Sequence, residues 1–166
     1  MTSELTKENE IVQKLKSFMG EKILEVQVPR SRRIFILVEK NVFKEAITHI
    51  IKKLKFVHLS TITGVDLGEE IEVIYHFSRD GSVELSLKVR VPKNKPVLPT
   101  ITDITPGVAL YEREVHDILG VVFKGHPNLS RLILPDDWPN GVYPLRKEWT
   151  FKKVKKVIMK RQSGKE

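Results

Sequence analysis

Apolar residues recur at helical spacing near the start of the chain. Ile11, Val12, Leu15, Phe18 and Met19 share one face and Gly20 follows as a stop, which predicts a helix over Leu5 to Met19. Two β-branched runs come next, Ile23 to Val28 and Arg33 to Val38, and Pro29-Arg30-Ser31-Arg32 between them suits a hairpin. Asn41 stands where it can cap a second helix, in which Val42, Phe43, Ala46, Ile47, Ile50, Ile51 and Leu54 form one broad apolar face. Phe56 to Thr63 reads as a third strand ended by Gly64. The clearest hairpin joins Ile71–Phe77 to Val83–Val91 through Ser78-Arg79-Asp80-Gly81. Its second arm alternates Val83, Leu85, Leu87, Val89 and Val91 with Glu84, Ser86, Lys88 and Arg90. One face is therefore expected to be buried and the other wet or covered by a partner. Together these elements predict an α+β fold, a two-layer domain with helices on a mainly antiparallel sheet.

The pattern changes beyond Val91. Pro92 to Pro99 is a proline-punctuated, extended linker. Thr105-Pro106 opens a third helix as N-cap and first helical position, and Gly120 closes it. Val108, Tyr111, Val115 and Ile118 give this helix one narrow apolar stripe, with its charged residues lying off the stripe. After Gly120 the chain is rich in Gly and Pro, and its only strong apolar run is Leu132-Ile133-Leu134. The expected division is an α+β domain over 1–120 that includes the third helix, an extended arm over 121–150 unable to fold alone, and a basic tail over 151–166.

With 166 residues, 40% apolar and 30% charged, the chain suits one domain with a real core. No window approaches the roughly 18 uninterrupted apolar residues of a membrane span, and the first residues lack the order of a signal peptide. The expectation is a cytoplasmic protein that meets a membrane only through a partner or a surface contact. The absence of cysteine excludes disulfides, thiolate metal sites and thiol nucleophiles supplied by this chain, so it cannot carry electrons through its own iron–sulfur cluster. Lys and Glu dominate the charged set and Asn and Gln are sparse, a bias of proteins from hot environments. The net charge of +8 suggests nucleic acid until its distribution is considered. Residues 152–166 carry seven Lys/Arg and one Glu, leaving 22 basic and 20 acidic residues elsewhere, so no nucleic-acid partner is expected. The tail itself reads first as a solvated or frayed terminus, and second as an amphipathic basic helix lying on an acidic partner or on anionic lipid.

The densest chemistry lies between Tyr111 and Leu134. Glu112, Arg113, Glu114, His116 and Asp117 fill two helical turns, followed by Gly125-His126-Pro127 and Arg131. Glu112 and His116 share a face at i and i+4, as do Arg113 and Asp117, while Glu114 points elsewhere. One role is a stand-alone metal-dependent enzyme with Glu112, His116 and His126 as ligands or acid/base groups. Only two of these are local, and no HExxH sequence supports them. A second is a solvated face whose i,i+4 pairs contribute about 0.3–0.5 kcal/mol each. The third is a docking surface: Arg131 and the cluster Pro144-Leu145-Arg146-Lys147 lie on a coreless arm, and charges that become covered have to be paired. Trp138 and Trp149 flank that cluster, as interface anchors or as packing for the arm itself. His49, His58 and His76 are scattered and read as ordinary core or surface histidines.

The run Tyr111-Glu112-Arg113-Glu114, Asp117, Gly120, Phe123, Gly125-His126-Pro127, Leu129 and Arg131 with Leu132 to Leu134 resembles the signature of the NuoC-type family, the C subunits of NADH:quinone oxidoreductase (complex I). Val91-Pro92, Pro96 to Pro99 and Thr102-Asp103-Ile104 resemble the approach to that signature. Pro135-Asp136-Asp137-Trp138 and Pro144 to Glu148 resemble its C-terminal arm, so the likeness spans about residues 56 to 149. It implies an α+β subunit with no cofactor and no catalytic residue of its own, seated in the peripheral arm on the cytoplasmic side of a membrane complex. Its implied partners are a hydrogenase-like large subunit and an iron–sulfur small subunit, with the membrane arm reached indirectly. Those partners would hold the nickel–iron (NiFe) centre and the iron–sulfur clusters. On this basis Glu112, Arg113, Glu114, Asp117, His126, Arg131, Trp138, Arg146 and Lys147 are the expected interface residues.

Several positions depart from the pattern. Ser130 precedes Arg131 where the family usually has two adjacent basic residues, Ala109-Leu110 replaces a polar residue and tryptophan, and Gly141 to Pro144 is stretched by a residue. With the short C-terminus, these favour the version found in energy-converting NiFe hydrogenases or sulfane reductases over a respiratory NADH or F420-type quinone oxidoreductase.

Overall fold

A computed structural model of the chain describes residues 5–79 and 83–163. The elements in order are α1 (Leu5–Met19), β1 (Ile23–Arg30), β2 (Arg33–Val38), α2 (Phe43–Lys52), β3 (His58–Asp66), β4 (Glu70–Ser78), β5 (Glu84–Pro92), β6 (Val97–Pro99), α3 (Ala109–Leu119), β7 (Val122–Lys124) and α4 (Phe151–Ser163). The fold is α+β with a mainly antiparallel five-stranded sheet, in the order β1-β2-β5-β4-β3, and a separate pair, β6-β7. Contacts divide it into two compact units, one within residues 1–63 and 72–90, the other within 64–71 and 91–166.

In the first unit α1 has the predicted bounds, because Ile11, Val12, Leu15 and Met19 are buried on one face. Pairing of β1 with β2 extends to Arg30 opposite Arg33, so the hairpin loop contracts to Ser31-Arg32. Arg32 sits at φ 67° and donates its N–H to the buried Glu8 carboxyl at 2.8 Å. Asn41 does not cap α2. A 3-10 turn over Lys40–Val42 intervenes, carrying Val42 into the core and moving the N-cap position to it. The apolar face of α2 is buried at Phe43, Ala46, Ile47 and Ile50, with Ile51 half-buried, and Phe43 meets Tyr75 of β4 with ring centroids 5.0 Å apart.

The odd-numbered positions of β5 are all buried, and β5 runs parallel to β2, with Ile34, Ile36 and Val38 opposite Leu85, Leu87 and Val89. The hydrophobic pattern does not reveal this parallel pair, because β2 and β5 are far apart in sequence. Asp80 and Gly81 of the predicted turn lie outside the described residues. On the polar positions of the sheet Glu72 pairs with Lys88 at 3.6 Å and Arg90 at 2.9 Å, while His76 bonds Ser86 and Thr63.

In the second unit β3 runs on through Gly64 to Asp66 instead of stopping at the glycine. Gly64 is needed for packing: a Cβ there would lie 2.2 Å from Cδ1 of Leu119 and 3.3 Å from Cγ1 of Val115. Pro106 opens a 3-10 turn that leads into α3, and Gly120 ends the helix in the left-handed conformation at φ 74°. The buried face of α3 is Val108, Glu112, Val115 and Leu119. Glu112 therefore lies on the stripe, not off it, and Tyr111 and Ile118 flank it half-buried. Gly120, the expected boundary between domain and arm, lies inside this unit. Val121, Phe123 and Val142 of the arm are buried, and Phe123 in β7 pairs with Leu98 in β6. Over Phe151–Ser163 the tail is helical, with Lys153 donating its N–H to Thr150 Oγ1 at 3.4 Å. Among the described residues no helix is long and apolar enough to cross a membrane.

Candidate docking site

Two charged residues of α3, Arg113 and Asp117, meet the arm through its main chain. Oδ2 of the buried Asp117 accepts three consecutive amide hydrogens, from Leu132 at 3.1 Å, Ile133 at 2.8 Å and Leu134 at 2.8 Å. One turn earlier, Arg113 donates to the carbonyls of Ser130 (3.1 Å) and Arg131 (2.7 Å) and to the Ser130 hydroxyl (3.0 Å). An acid and a base four residues apart thus grip the donors and the acceptors of one loop, which has no ladder of its own to satisfy them. Burial pushes the Asp117 carboxyl up, but the three amides and the nearby Arg131 outweigh it and hold the group below the usual carboxylate range.

The C-terminal end of α3 is closed by the same arm. Leu145 donates its N–H to the Ile118 carbonyl at 3.2 Å, and Arg146 donates Nε–H to the Leu119 carbonyl at 2.7 Å, placing a cation on orphan acceptors at the negative helix end. The Arg146 guanidinium lies over the Tyr143 ring, 4.5 Å from its centroid, and that ring covers Gly120. A Cβ on Gly120 would meet ring atoms at 2.4–2.7 Å. Gly120→Ala is accordingly expected to cost about 2–4 kcal/mol, from left-handed strain plus displacement of Tyr143. Denaturant melts measure it, and a loss under 1 kcal/mol would show that the ring yields freely.

Glu112 and His126 are internal. Glu112 is fully buried and accepts the Ile101 N–H at 3.0 Å and the Thr100 hydroxyl at 2.5 Å. His126 accepts the Asn128 N–H on Nδ1 at 3.1 Å, which leaves Nε2–H to donate to the Ala109 carbonyl at 3.1 Å. Its side chain is 1% exposed, and Nε2 stands 4.0 Å from Glu112. His116 donates Nδ1–H to the Val121 carbonyl at 2.8 Å. With these commitments the suggested Glu112, His116 and His126 ligand set does not assemble, and among the described residues no group of three or more His, Cys, Asp or Glu could hold a metal.

The expected interface residues therefore separate. Glu112, Asp117 and the His126 side chain are buried in the chain's own fold. Arg113 and Glu114 are half-buried. Arg131 donates to the Pro135 carbonyl (3.0 Å) and Asn140 Oδ1 (2.7 Å), and Trp138 donates to the Val142 carbonyl (2.8 Å). Lys147 is exposed. Arg131, Trp138, Asn140 and Tyr143 line a polar cavity of about 360 Å³ with His116 and Asp117. The held loop turns two large apolar side chains outward, Leu132 at 40% and Ile133 at 55% exposed, and Leu145 farther along the arm is 58% exposed.

Asp66 and Lys93 escape any reading of the signature because they lie outside it. Asp66 accepts the Lys93 ammonium at 2.6 Å, the Lys147 N–H at 2.7 Å and the Gly68 N–H at 2.7 Å, while Lys93 also pairs with Glu148. Burial raises the Asp66 carboxyl, yet these donors prevail and hold it at about 2. Its folded pKa lies below its unfolded value of 3.8, so the stabilisation is complete above about pH 4 and is lost as pH falls toward 2. Asp66→Asn is expected to remove about 2 kcal/mol at pH 7 and to shrink the acid-side loss of stability. Urea melts at pH 7, 4 and 3 measure both, and an unchanged acid profile would rule Asp66 out as its source.

The family described as "Respiratory-chain NADH dehydrogenase, 30 Kd subunit" matches residues 36–155. The C subunit of the F(420)H(2) dehydrogenase of Methanosarcina mazei is 36% identical over 142 residues, which is 84% of this chain and 89% of that protein. The beta subunit of the membrane-bound hydrogenase of Pyrococcus furiosus is 35% identical over 118 residues, covering 69% of this chain and 68% of its own. Among solved structures, a chain of an archaeal membrane-bound sulfane sulfur reductase, a respiratory membrane complex, superposes with a TM-score of 0.80 at 31% identity, over 93% of this chain and 92% of that one. The chain spans about half the length of several NADH-quinone oxidoreductase C subunits that it also matches.

Proposed function

The chain belongs to the respiratory-chain NADH dehydrogenase 30 Kd subunit family, and on that premise we propose that it is a non-catalytic assembly subunit in the peripheral arm of a complex I-related, membrane-bound oxidoreductase. Its partners are a hydrogenase-like large subunit and an iron–sulfur small subunit on the cytoplasmic face. The complex is an energy-converting NiFe hydrogenase or a sulfane reductase, and the redox centres belong to those neighbours. The resemblance to the hydrogenase beta subunit and to the sulfane reductase chain supports this type. The longer match to the F(420)H(2) dehydrogenase protein and the matches to NADH-quinone oxidoreductase C subunits favour a second type, a respiratory NADH or F420-type quinone oxidoreductase. Hydrogen evolution, polysulfide reduction and quinone reduction by the purified complex distinguish the three.

One observation carries the docking role: Asp117 and Arg113 spend their charge on the main chain of residues 130–134, and the large side chains this loop exposes to solvent are the apolar Leu132 and Ile133. A loop held rigid by a buried carboxylate and a half-buried guanidinium while presenting apolar side chains loses little entropy when a partner covers it. Leu132→Asp combined with Ile133→Asp touches neither grip. The double variant is expected to fold normally and to weaken association by about 2–4 kcal/mol, at least roughly thirtyfold. Affinity purification of the tagged protein from its native host reads this out, and undiminished recovery of the other subunits would refute the docking role. Arg146→Glu is a poorer probe than Lys147→Glu, because it also uncaps α3.

A further inference from the structure

α4 carries more positive charge than its own fold uses, although Lys153 donates Nζ–H to the Glu148 carbonyl at 3.1 Å. Over Phe151–Ser163 it has Lys152, Lys153, Lys155, Lys156, Lys160 and Arg161 and no acidic residue. Lys152 and Lys153 occupy the first turn, where cations oppose the helix dipole, and Lys152–Lys156 and Lys156–Lys160 are like-charge pairs at i,i+4. Lys152, Lys155 and Lys156 are exposed and have no acidic partner in the chain among the described residues. The arrangement destabilises the helix it sits on, so it answers to something outside the chain.

We propose that the basic face of α4 docks on an acidic protein surface of a neighbouring subunit. This inference rests on the reading of the chain as a member of an oxidoreductase complex. Three observations choose the occupant. The adjacent apolar positions Val154, Val157 and Ile158 are already half-buried, so the continuous apolar stripe of the helix is not free to enter lipid as that of an interfacial helix does. The remainder of the chain has 22 basic and 20 acidic residues and offers no continuing basic field for nucleic acid. Phe151 and Met159, 81% and 57% exposed, lie beside the lysines and supply the isolated apolar contacts typical of a protein interface.

Lysine reactivity in the intact complex tests it. Acetylation of Lys152, Lys155 and Lys156, quantified by mass spectrometry, is expected to be at least about fivefold slower in the complex than in the isolated chain. Carbodiimide treatment of the complex should join these lysines to Asp or Glu of a neighbouring subunit. The triple variant Lys152→Glu, Lys155→Glu, Lys156→Glu should still assemble through Leu132 and Ile133 at low salt, and should be released at a several-fold lower salt concentration than the unaltered chain. Equal acetylation in both states overturns the proposal while leaving the docking loop intact. Protection that vanishes when anionic lipid is stripped from the complex, or that reappears on phosphatidylglycerol vesicles alone, also overturns it. A chain that co-purifies with no other subunit removes both this inference and the function on which it rests.

Discussion

Asp117→Ala is expected to cost about 3–5 kcal/mol and to release residues 132–134, because three amide hydrogens lose their shared acceptor at once. Asp117→Asn keeps one carbonyl oxygen in place without the charge, so it should cost roughly half as much. Folding stability from denaturant melts separates the two variants, and hydrogen exchange locates the effect. The amides of Leu132, Ile133 and Leu134 should exchange much faster in the alanine variant, while those of β2 and β5 should slow or quicken only with global stability. Unchanged exchange at the three loop amides would mean that other contacts hold the loop. Association should fall in parallel with loop release, since Leu132 and Ile133 would no longer be presented in a fixed geometry. The same carboxyl has its folded pKa below the unfolded value, so its contribution is present above about pH 4 and fades as pH drops below it, alongside that of Asp66.

Glu112→Ala is the second large effect, about 3–5 kcal/mol. The side chain is fully buried, and its removal leaves the Ile101 N–H and the Thr100 hydroxyl without their acceptors beside a new cavity. Glu112→Gln retains one acceptor oxygen and nearly the same volume, and its amide group can donate to the Thr100 hydroxyl oxygen once that hydroxyl rotates, so about 1–2 kcal/mol is expected. At this chain length the alanine loss corresponds to a fall in melting temperature of about 6–20 °C. The gap between the two variants is the informative quantity. A glutamine variant as damaged as the alanine one would show that the carboxyl itself is required and that filling the space is not enough.

The bounds of α1, the stop at Gly120 and the alternation of β5 were legible because each is a local pattern whose period the chain displays directly. The course of α3 was legible but its facing was not. Val108, Tyr111, Val115, Ile118 and Val108, Glu112, Val115, Leu119 fit a helical stripe about equally well. What selects the second is the pair of donors at Thr100 and Ile101, which arrive from a proline-rich linker that no periodicity can place. The signature was legible as a cluster of charge, and its density suggested that those charges meet a partner. In the fold most of them meet carbonyls and amides a few turns away, and the apolar residues beside them are what remains exposed. The contact between Asp66 and Lys147 escaped notice for a simpler reason: the two residues are joined across 81 positions. The parallel pairing of β2 with β5 is likewise a long-range event, set by which free edge the first hairpin finds.

The grip of Asp117 falls on main-chain hydrogens, and every amino acid except proline supplies one. The shape of residues 132–134 is thereby independent of which side chains they carry. After a gene duplication, one copy could acquire a different partner by exchanging Leu132 and Ile133 while the scaffold beneath stayed unaltered, and the one substitution barred at all three positions is proline. A protein type shared among hydrogenases, sulfane reductases and quinone-linked dehydrogenases has use for a surface whose lettering can change without recasting the type.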